Sequence, residues 1–369
     1  MPDLYIGLIS GTSVDGIDAA LVDFSDGAIR LIAFHYHPFG EELRNAIYRI
    51  SQPNQPVYLK EYGELDCRLG ILFGDAATAL LAKANIDASS VNAIGSHGQT
   101  IYHAPEPPFP FTLQIGDPNV IAECTGITTV ADLRRRDIAA GGQGAPLVPA
   151  FHSAVFGDST QTRVIVNIGG IANITVLNDQ PVIGFDTGPG NGLMDWWCQR
   201  HRQQAYDAGG AWAAAGKVHV GLLATLLDDR YFRLPPPKST GKEYFSSAWL
   251  TEKLQPFGDL PPQDVQATLC QFTADSIAAA IASWAAETGQ VLVCGGGAHN
   301  HHLLVLLEKS LKIPVESTAR FGIDPNCVEA MAFAWLAKRT LQNQAGNLTS
   351  VTGAKTPVTL GGIYPGNKR

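Results

Sequence analysis

Three glycine-centred turns and a few isolated carboxylates are the residues of this chain whose types and spacing could do chemistry. Gly11-Thr12-Ser13 interrupts two apolar runs, Leu4-Ile6-Leu8 and Ile17-Ala19-Leu21. Glycine there admits close backbone approach, the two hydroxyls add donors, and successive N–H groups in such a bend form an anion-binding nest. Taken singly, the same residues serve equally as a hairpin turn. The balance shifts because a second turn, Gly169-Gly170, falls inside "TRVIVNIGGIANITVL" and a third, Gly295-Gly296-Gly297, follows "VLVC".

The carboxylates each carry two readings. Asp186 ends the apolar stretch "PVIGFD" just before "TGPGN". It reads as a strand-end carboxylate aimed at a ligand or as the cap of the next helix. Glu329 opens "EAMAFAWLA", where the helix dipole alone favours a glutamate. Asp15 and Asp18 orient the first turn or a hydrated cation, or they stabilise the turn itself. His97 in "GSHGQT" reads by itself as a satisfied structural histidine. Lys238 in "PPPKSTGKEYF" reads as a phosphate contact or a solvated lysine, and "GGQGAPLVPAFH" as a mobile flanking loop.

The elements that must position these groups repeat. Residues 4–8, 17–23 and 28–35 read as three short strands, and Leu65, Leu69, Leu72, Phe73, Ala76 and Leu80 recur at helical spacing. "VNAIGSHGQT" and "FTLQIGD" read as strands with polar tips, and "TTVADLRRRD" as a strand leaving into a basic loop. The pattern restarts at 162–177 with a strand, the Gly-Gly turn and a second strand; 181–186 supplies a third. Two copies of three antiparallel strands followed by alternating helix and strand imply two α/β domains of similar topology. Their boundary is expected within 139–160, and the cleft between the halves is the natural ligand site.

Composition excludes several classes. A formal net charge of −8 argues against a nucleic-acid or anionic-membrane surface. The six cysteines are scattered without a C-x-x-C pair and read as reduced. No apolar run approaches the ~18 residues of a membrane span, and no signal-peptide pattern opens the chain, so a cytoplasmic location is expected. No G-x-x-x-x-G-K-[ST] occurs, and Leu193 occupies the third-glycine position of the dinucleotide fingerprint in "GPGNGL". The spacing of His299, His301 and His302 fits no tetrahedral zinc pattern.

Facing glycine hairpins with a later GGG turn resemble the sugar kinase/actin/Hsp70 ATPase superfamily. Within it, "GLISGTSVDGID", "GSHGQT", "ADLRRRDIAAGGQGAPLVPAFH", "NIGGIANIT", "GFDTGPGN", "PKSTGKEYF", "VCGGGAHN" and "EAMAFAWLA" closely resemble the anhydro-N-acetylmuramic acid kinase family, in order along nearly the whole chain. Ile9 stands where the wider superfamily usually carries an aspartate.

The resemblance implies an α/β fold of two ribonuclease-H-like lobes (the actin-like ATPase fold) with a central cleft. The expected lobes are 1–140, completed by 345–369, and 141–344. It implies ATP, with Mg²⁺, bound by residues 11 to 18 (Gly11, Thr12, Ser13, Val14, Asp15, Gly16, Ile17, Asp18), by Gly169 and Gly170, and by Gly295, Gly296 and Gly297. The implied reaction takes 1,6-anhydro-N-acetylmuramic acid, ATP and water to N-acetylmuramic acid 6-phosphate and ADP, in cell-wall recycling. O6 has no proton to lose there, so water must attack C1 while the phosphoryl group captures O6. One carboxylate base is then required. Asp186 is the expected base, with Glu329 sharing the water. Arg135, from the Arg134-Arg135-Arg136 run, is expected on the lactyl carboxylate, and His97 and Thr100 on sugar hydroxyls. A homodimer is implied as well, with no nucleic-acid or membrane partner.

Overall fold

The computed structural model describes residues 2–52, 55–178 and 181–367. The chain divides into two compact units, Met1–Phe151 with Cys327–Arg369, and His152–Asn326.

In the first unit, β1 (Leu4–Ser10), β2 (Gly16–Asp23) and β3 (Arg30–Pro38) form an antiparallel meander. β4 (Val91–Ala104) joins the other side of β1 in parallel, and β6 (Thr129–Ala131) joins β4 in parallel, with β5 (Phe111–Ile115) as a hairpin partner of β4. The order is therefore β3-β2-β1-β4-β6, extended at its edge by the short strand Gly362–Tyr364. The expected alternation of β1 is only half the story, because all seven of its residues are buried. Helix Leu59–Ala84 and helix Val328–Leu341 both contact this sheet.

Glycine makes the second of these contacts possible. Gly7 on β1 and Gly95 on β4 are neighbours in register. A Cβ on Gly7 would lie 1.8 Å from the Ala330 carbonyl oxygen, and one on Gly95 would lie 2.0 Å from that of Phe333. The helix thus rests backbone to backbone on a glycine floor, with Ala330, Ala334 and Ala337 buried along it.

The second unit repeats the order. β7 (Thr162–Ile168), β8 (Ile171–Leu177) and β9 (Ile183–Pro189) are antiparallel, and β10 (Thr288–Cys294) and β11 (Val315–Ser317) continue in parallel from β7. The resulting order, β9-β8-β7-β10-β11, is that of β3-β2-β1-β4-β6. Each unit is thus a ribonuclease-H-like lobe. Its core includes Val164, Val166, Phe185 and Phe272, with helix Pro262–Trp284 packed on β8 and β9.

The division differs from the expected lobes. Residues 141–151 and 327–344 group with the first unit. Helix Val328–Leu341 contacts β1, β2 and β4, and Asp137 draws residues 142–144 against Asn347 and Thr352. All six cysteines are free thiols. Among the described residues, no helix is long and apolar enough to cross a membrane.

Candidate functional site

In the first unit the turn after β1 is closed by Val14 N–H donating to the Gly11 carbonyl at 3.1 Å. Ser13 Oγ donates to Asp15 Oδ1 at 2.7 Å, and the Tyr48 hydroxyl donates to the Ser13 carbonyl at 2.5 Å. Val14 adopts φ 54° although it is β-branched, a conformation that costs on the order of 1–3 kcal/mol and concentrates at functional turns. Its buried side chain, packed into the same core as Ile17 and Leu43, holds it there. Asp18 on β2 is pushed up to about 7, first by burial and then by the charges of Asp15 and Glu329. The three carboxylates therefore crowd one another beside the glycine turn.

The arginine run does not leave into a basic loop. Asp132 at φ 57° turns the chain into the short helix Arg135–Ala139. Arg134 then donates through Nε to His97 Nε2 at 2.9 Å and through Nη1 to the Gly144 carbonyl at 2.8 Å. His97, 8% exposed, sits with Nδ1 2.9 Å from the Gly98 carbonyl. Burial, then the Arg134 charge, hold it well below the usual histidine range. It is a neutral ring protonated at Nδ1.

Arg135 forks onto Asp132, at 2.8 Å from Nε and 2.6 Å from Nη2. His97 and Arg135 share a cavity of about 140 Å³ with Asp66, Ser96, Gly98 and Asp132. Thr100 is not part of its wall; its hydroxyl accepts from Gln114 Nε2 at 3.1 Å. Glu329, in the first turn of helix Val328–Leu341, is half-buried and attracts Arg134. The segment 141–152 is tied rather than free: Gly144 N–H donates to buried Asp137 at 2.8 Å and Gln143 N–H to the Thr352 carbonyl at 2.8 Å.

In the second unit the Gly169-Gly170 turn is knotted to the loop after β9. Asn191 N–H donates to the Gly169 carbonyl at 2.7 Å, and Gly190 and Gly192 N–H donate to the Gly170 carbonyl at 3.0 and 3.1 Å. Asn191 Nδ2 reaches the Ile168 carbonyl at 3.1 Å. Gly295, at φ 76°, and Gly297 press on Asn167 and Ile168, where a Cβ would fall 2.4 and 2.3 Å from side-chain atoms. The two glycine clusters thus converge on the end of β7. Beyond the GGG turn lies a cavity of about 400 Å³ lined by Ala298, His299, Ser317, Ala319, Asp324 and Pro325.

Asp186 caps no helix. It lies within β9, opposite Asn173 of β8, and Asn191 is the N-cap of helix Gly192–Arg202. Its Oδ2 accepts from Thr240 N–H at 2.9 Å, its own N–H donates to the Lys238 carbonyl at 3.2 Å, and its carbonyl accepts from the Tyr231 hydroxyl at 2.7 Å. Burial pushes the carboxyl up to about 6; the Thr240 N–H and the Lys238 charge oppose this, and Glu243 adds to it. A half-buried carboxylate of that proton affinity suits a general base near neutral pH.

Lys238 is half-buried. Its Nζ donates to the Tyr231 carbonyl at 3.2 Å and lies over the Tyr231 and Phe185 rings. Sequence reasoning missed Lys242, whose Cε would lie 2.7 Å from a Cβ on Gly170 and whose charge attracts Asp195. It missed Thr240, and Arg134 as the partner of His97, as well. The only signal for the last two was their place inside motifs whose partners are distant in the chain.

A sequence model of the family "Anhydro-N-acetylmuramic acid kinase" matches residues 3–366. The anhydro-N-acetylmuramic acid kinase of Coxiella burnetii (strain Dugway 5J108-111) is 51% identical over 99% of this chain and 98% of its own length. That of Photobacterium profundum is 51% identical over 98% of each. That of Xanthomonas campestris pv. campestris (strain 8004) is 52% identical over 98% of this chain and 97% of its own. This chain therefore belongs to the anhydro-N-acetylmuramic acid kinase family.

Proposed function

We propose that this chain is an ATP-dependent kinase that opens the 1,6-anhydro ring of 1,6-anhydro-N-acetylmuramic acid with water and phosphorylates O6. The products are N-acetylmuramic acid 6-phosphate and ADP. Family membership supports the kinase activity and the use of ATP. The observation that carries the mechanism is Asp186: one carboxylate oxygen is fixed by a backbone N–H, and burial raises its pKa to about 6.

Asp186 takes a proton from water as that water forms a bond to C1. The C1–O6 bond breaks, O6 bonds to the γ-phosphorus, and the bond to ADP breaks. Glu329 is assigned a second catalytic role. The N–H groups of residues 11 to 18 and of Gly169 and Gly170 are assigned to the phosphates, with Lys242 supplying a cation at the second turn. The cavity beyond Gly295, Gly296 and Gly297 is assigned to the adenosine by its size. Arg135 is assigned to the lactyl carboxylate, since Asp132 engages only its Nε and Nη2 side, and His97 and Thr100 to sugar hydroxyls.

Mg²⁺ fits the first unit by charge. Burial first, then the charges of Asp15 and Glu329, raises the Asp18 carboxyl, and a cation there would offset both. Among the described residues no three His, Cys, Asp or Glu side chains gather as a metal cage. Such an ion would be held largely by phosphate and water, with Asp15 or Asp18 beyond them. When bound it neutralises phosphate charge. A cytoplasmic location, a role in cell-wall recycling and a homodimer complete the proposal; light scattering of the purified chain tests the last.

The test is turnover in ¹⁸O-water with wild type and Asp186→Asn. Label at C1 of the phosphorylated product, and loss of turnover in the variant with nucleotide binding retained, are expected. Unlabelled product overturns hydrolytic opening in favour of an ordinary hydroxyl kinase, and full turnover by the variant removes Asp186 as base.

A further inference from the structure

Asp186 is held from one side by a single segment, residues 229–249, that begins 43 positions later in the chain and folds back over β9. The segment is anchored at Asp229, which is 8% exposed. Its carboxylate accepts from Tyr231 N–H at 3.0 Å, the Tyr244 hydroxyl at 2.8 Å and Trp249 Nε1 at 3.0 Å, with Lys253 Nζ at 3.6 Å. Between those anchors, Pro235, Pro236 and Pro237 stiffen the approach to Lys238, and the stretch Lys238–Thr240 runs against Asp186.

Three contacts fall on the one residue. Its N–H, its carbonyl and one carboxylate oxygen go to Lys238, Tyr231 and Thr240 respectively. Lys238 Nζ rides 4.6 Å from the Tyr231 ring centre and 5.7 Å from that of Phe185, the residue preceding Asp186. β9 is the edge strand of its sheet, so partners for the Asp186 N–H and carbonyl serve the fold, but the Thr240 N–H on Oδ2 engages the carboxylate itself, which the sheet does not require.

Resting on the reading of Asp186 as the base, we propose that Lys238–Thr240 is a positioning strap for it. The Thr240 N–H fixes Oδ2 and so leaves Oδ1 as the oxygen that takes the proton, while the Lys238 ammonium favours the ionised carboxylate. The charged and titratable groups facing Asp186 are Lys238 from the strap, Glu243 from the residues after it and the Tyr231 hydroxyl from the turn before it. Glu243 opposes Lys238, and Tyr231, held above the usual phenol range by burial and by the Asp186 charge, remains a donor.

The test is the pH dependence of kcat at saturating ATP and anhydro-sugar. A base must be deprotonated to act, so wild-type turnover falls on the acid side near pH 6. Lys238→Met is expected to move that limb upward, by less than loss of the Thr240 N–H does, and Lys238→Arg to return it. Thr240→Pro, which lacks the N–H, is expected to move the limb the same way, whereas Thr240→Ala, which keeps it, leaves the limb in place. Thermal melts report whether Thr240→Pro folds; the lysine pair decides the matter if it does not. Limbs of Lys238→Met and folded Thr240→Pro that coincide with wild type, with Asp186→Asn inactive, overturn the strap and spare the base. An active Asp186→Asn overturns the base reading instead.

Discussion

Gly7→Ala tests whether the glycine floor fixes the late helix. The new Cβ would stand 1.8 Å from the Ala330 carbonyl oxygen and 2.6 Å from the Ala334 nitrogen, both backbone atoms. No rotamer relieves that overlap, so helix Val328–Leu341 must retreat by about 1.5 Å to regain ordinary contact. Overpacking of this kind costs about 1–3 kcal/mol, and backbone on both sides puts it at the upper end. A unit of this size loses about 2–4 °C for each kcal/mol, so a fall of roughly 10 °C in Tm is expected. Glu329 precedes Ala330 and moves with it, and displacement by about 1 Å can cost ~100-fold in turnover. Gly63→Ala is the control: it lies in helix Leu59–Ala84 with nothing within 4 Å of the added Cβ, and it should gain about 1 kcal/mol. Differential scanning calorimetry and initial rates read both effects. A Gly7→Ala protein melting within about 2 °C of wild type, at full turnover, would refute the close-packing argument.

Three other outcomes follow from the charges. Asp18 has a raised folded pKa, so its contribution to stability is present below pH 4 and is lost as pH rises through about 7. Asp18→Asn should therefore gain stability over wild type at pH 8 and lose that advantage toward pH 4; a pH-independent difference in urea midpoints speaks against this. Burial raises the Asp229 carboxyl, but hydrogen bonds from Tyr231, Tyr244 and Trp249 and the Lys253 charge outweigh it and leave the pKa lowered. Its stabilising effect is thus present above the ordinary aspartate range and lost in acid, and Asp229→Asn should cost about 1–3 kcal/mol at pH 7 by chemical denaturation. Lys242→Ala should raise the KM for ATP with little change in the KM for the sugar; an unchanged ATP dependence removes Lys242 from the phosphate turn.

What could be read in advance was whatever is encoded locally. Glycines at strand turns, the meander before each helix, and the helical recurrence from Leu65 to Leu80 all depend on neighbours in the chain, and they reappear as β1 to β3, β7 to β9 and helix Leu59–Ala84. Partners set by the fold were not legible. His97 gives no hint of Arg134, 37 positions away, nor Asp186 of Thr240, 54 away. That some of the arginine run points inward is legible from its place at a strand end, but which one is not, because the left-handed turn at Asp132 sets the direction of each. The expected boundary within 139–160 contains the observed division after Phe151, but helix Val328–Leu341, expected in the second lobe because it follows that unit in sequence, groups with the first, where Gly7 and Gly95 make room for it.

That glycine floor also bears on how the molecule is made. One face of β1 and β4 is covered by residues that leave the ribosome only after the whole of His152–Asn326 has been synthesised. The earliest-made sheet must therefore wait, apolar and open, while another lobe is built, a span in which chaperones and self-association compete for it. Chains halted near residue 326 would carry that bare face permanently.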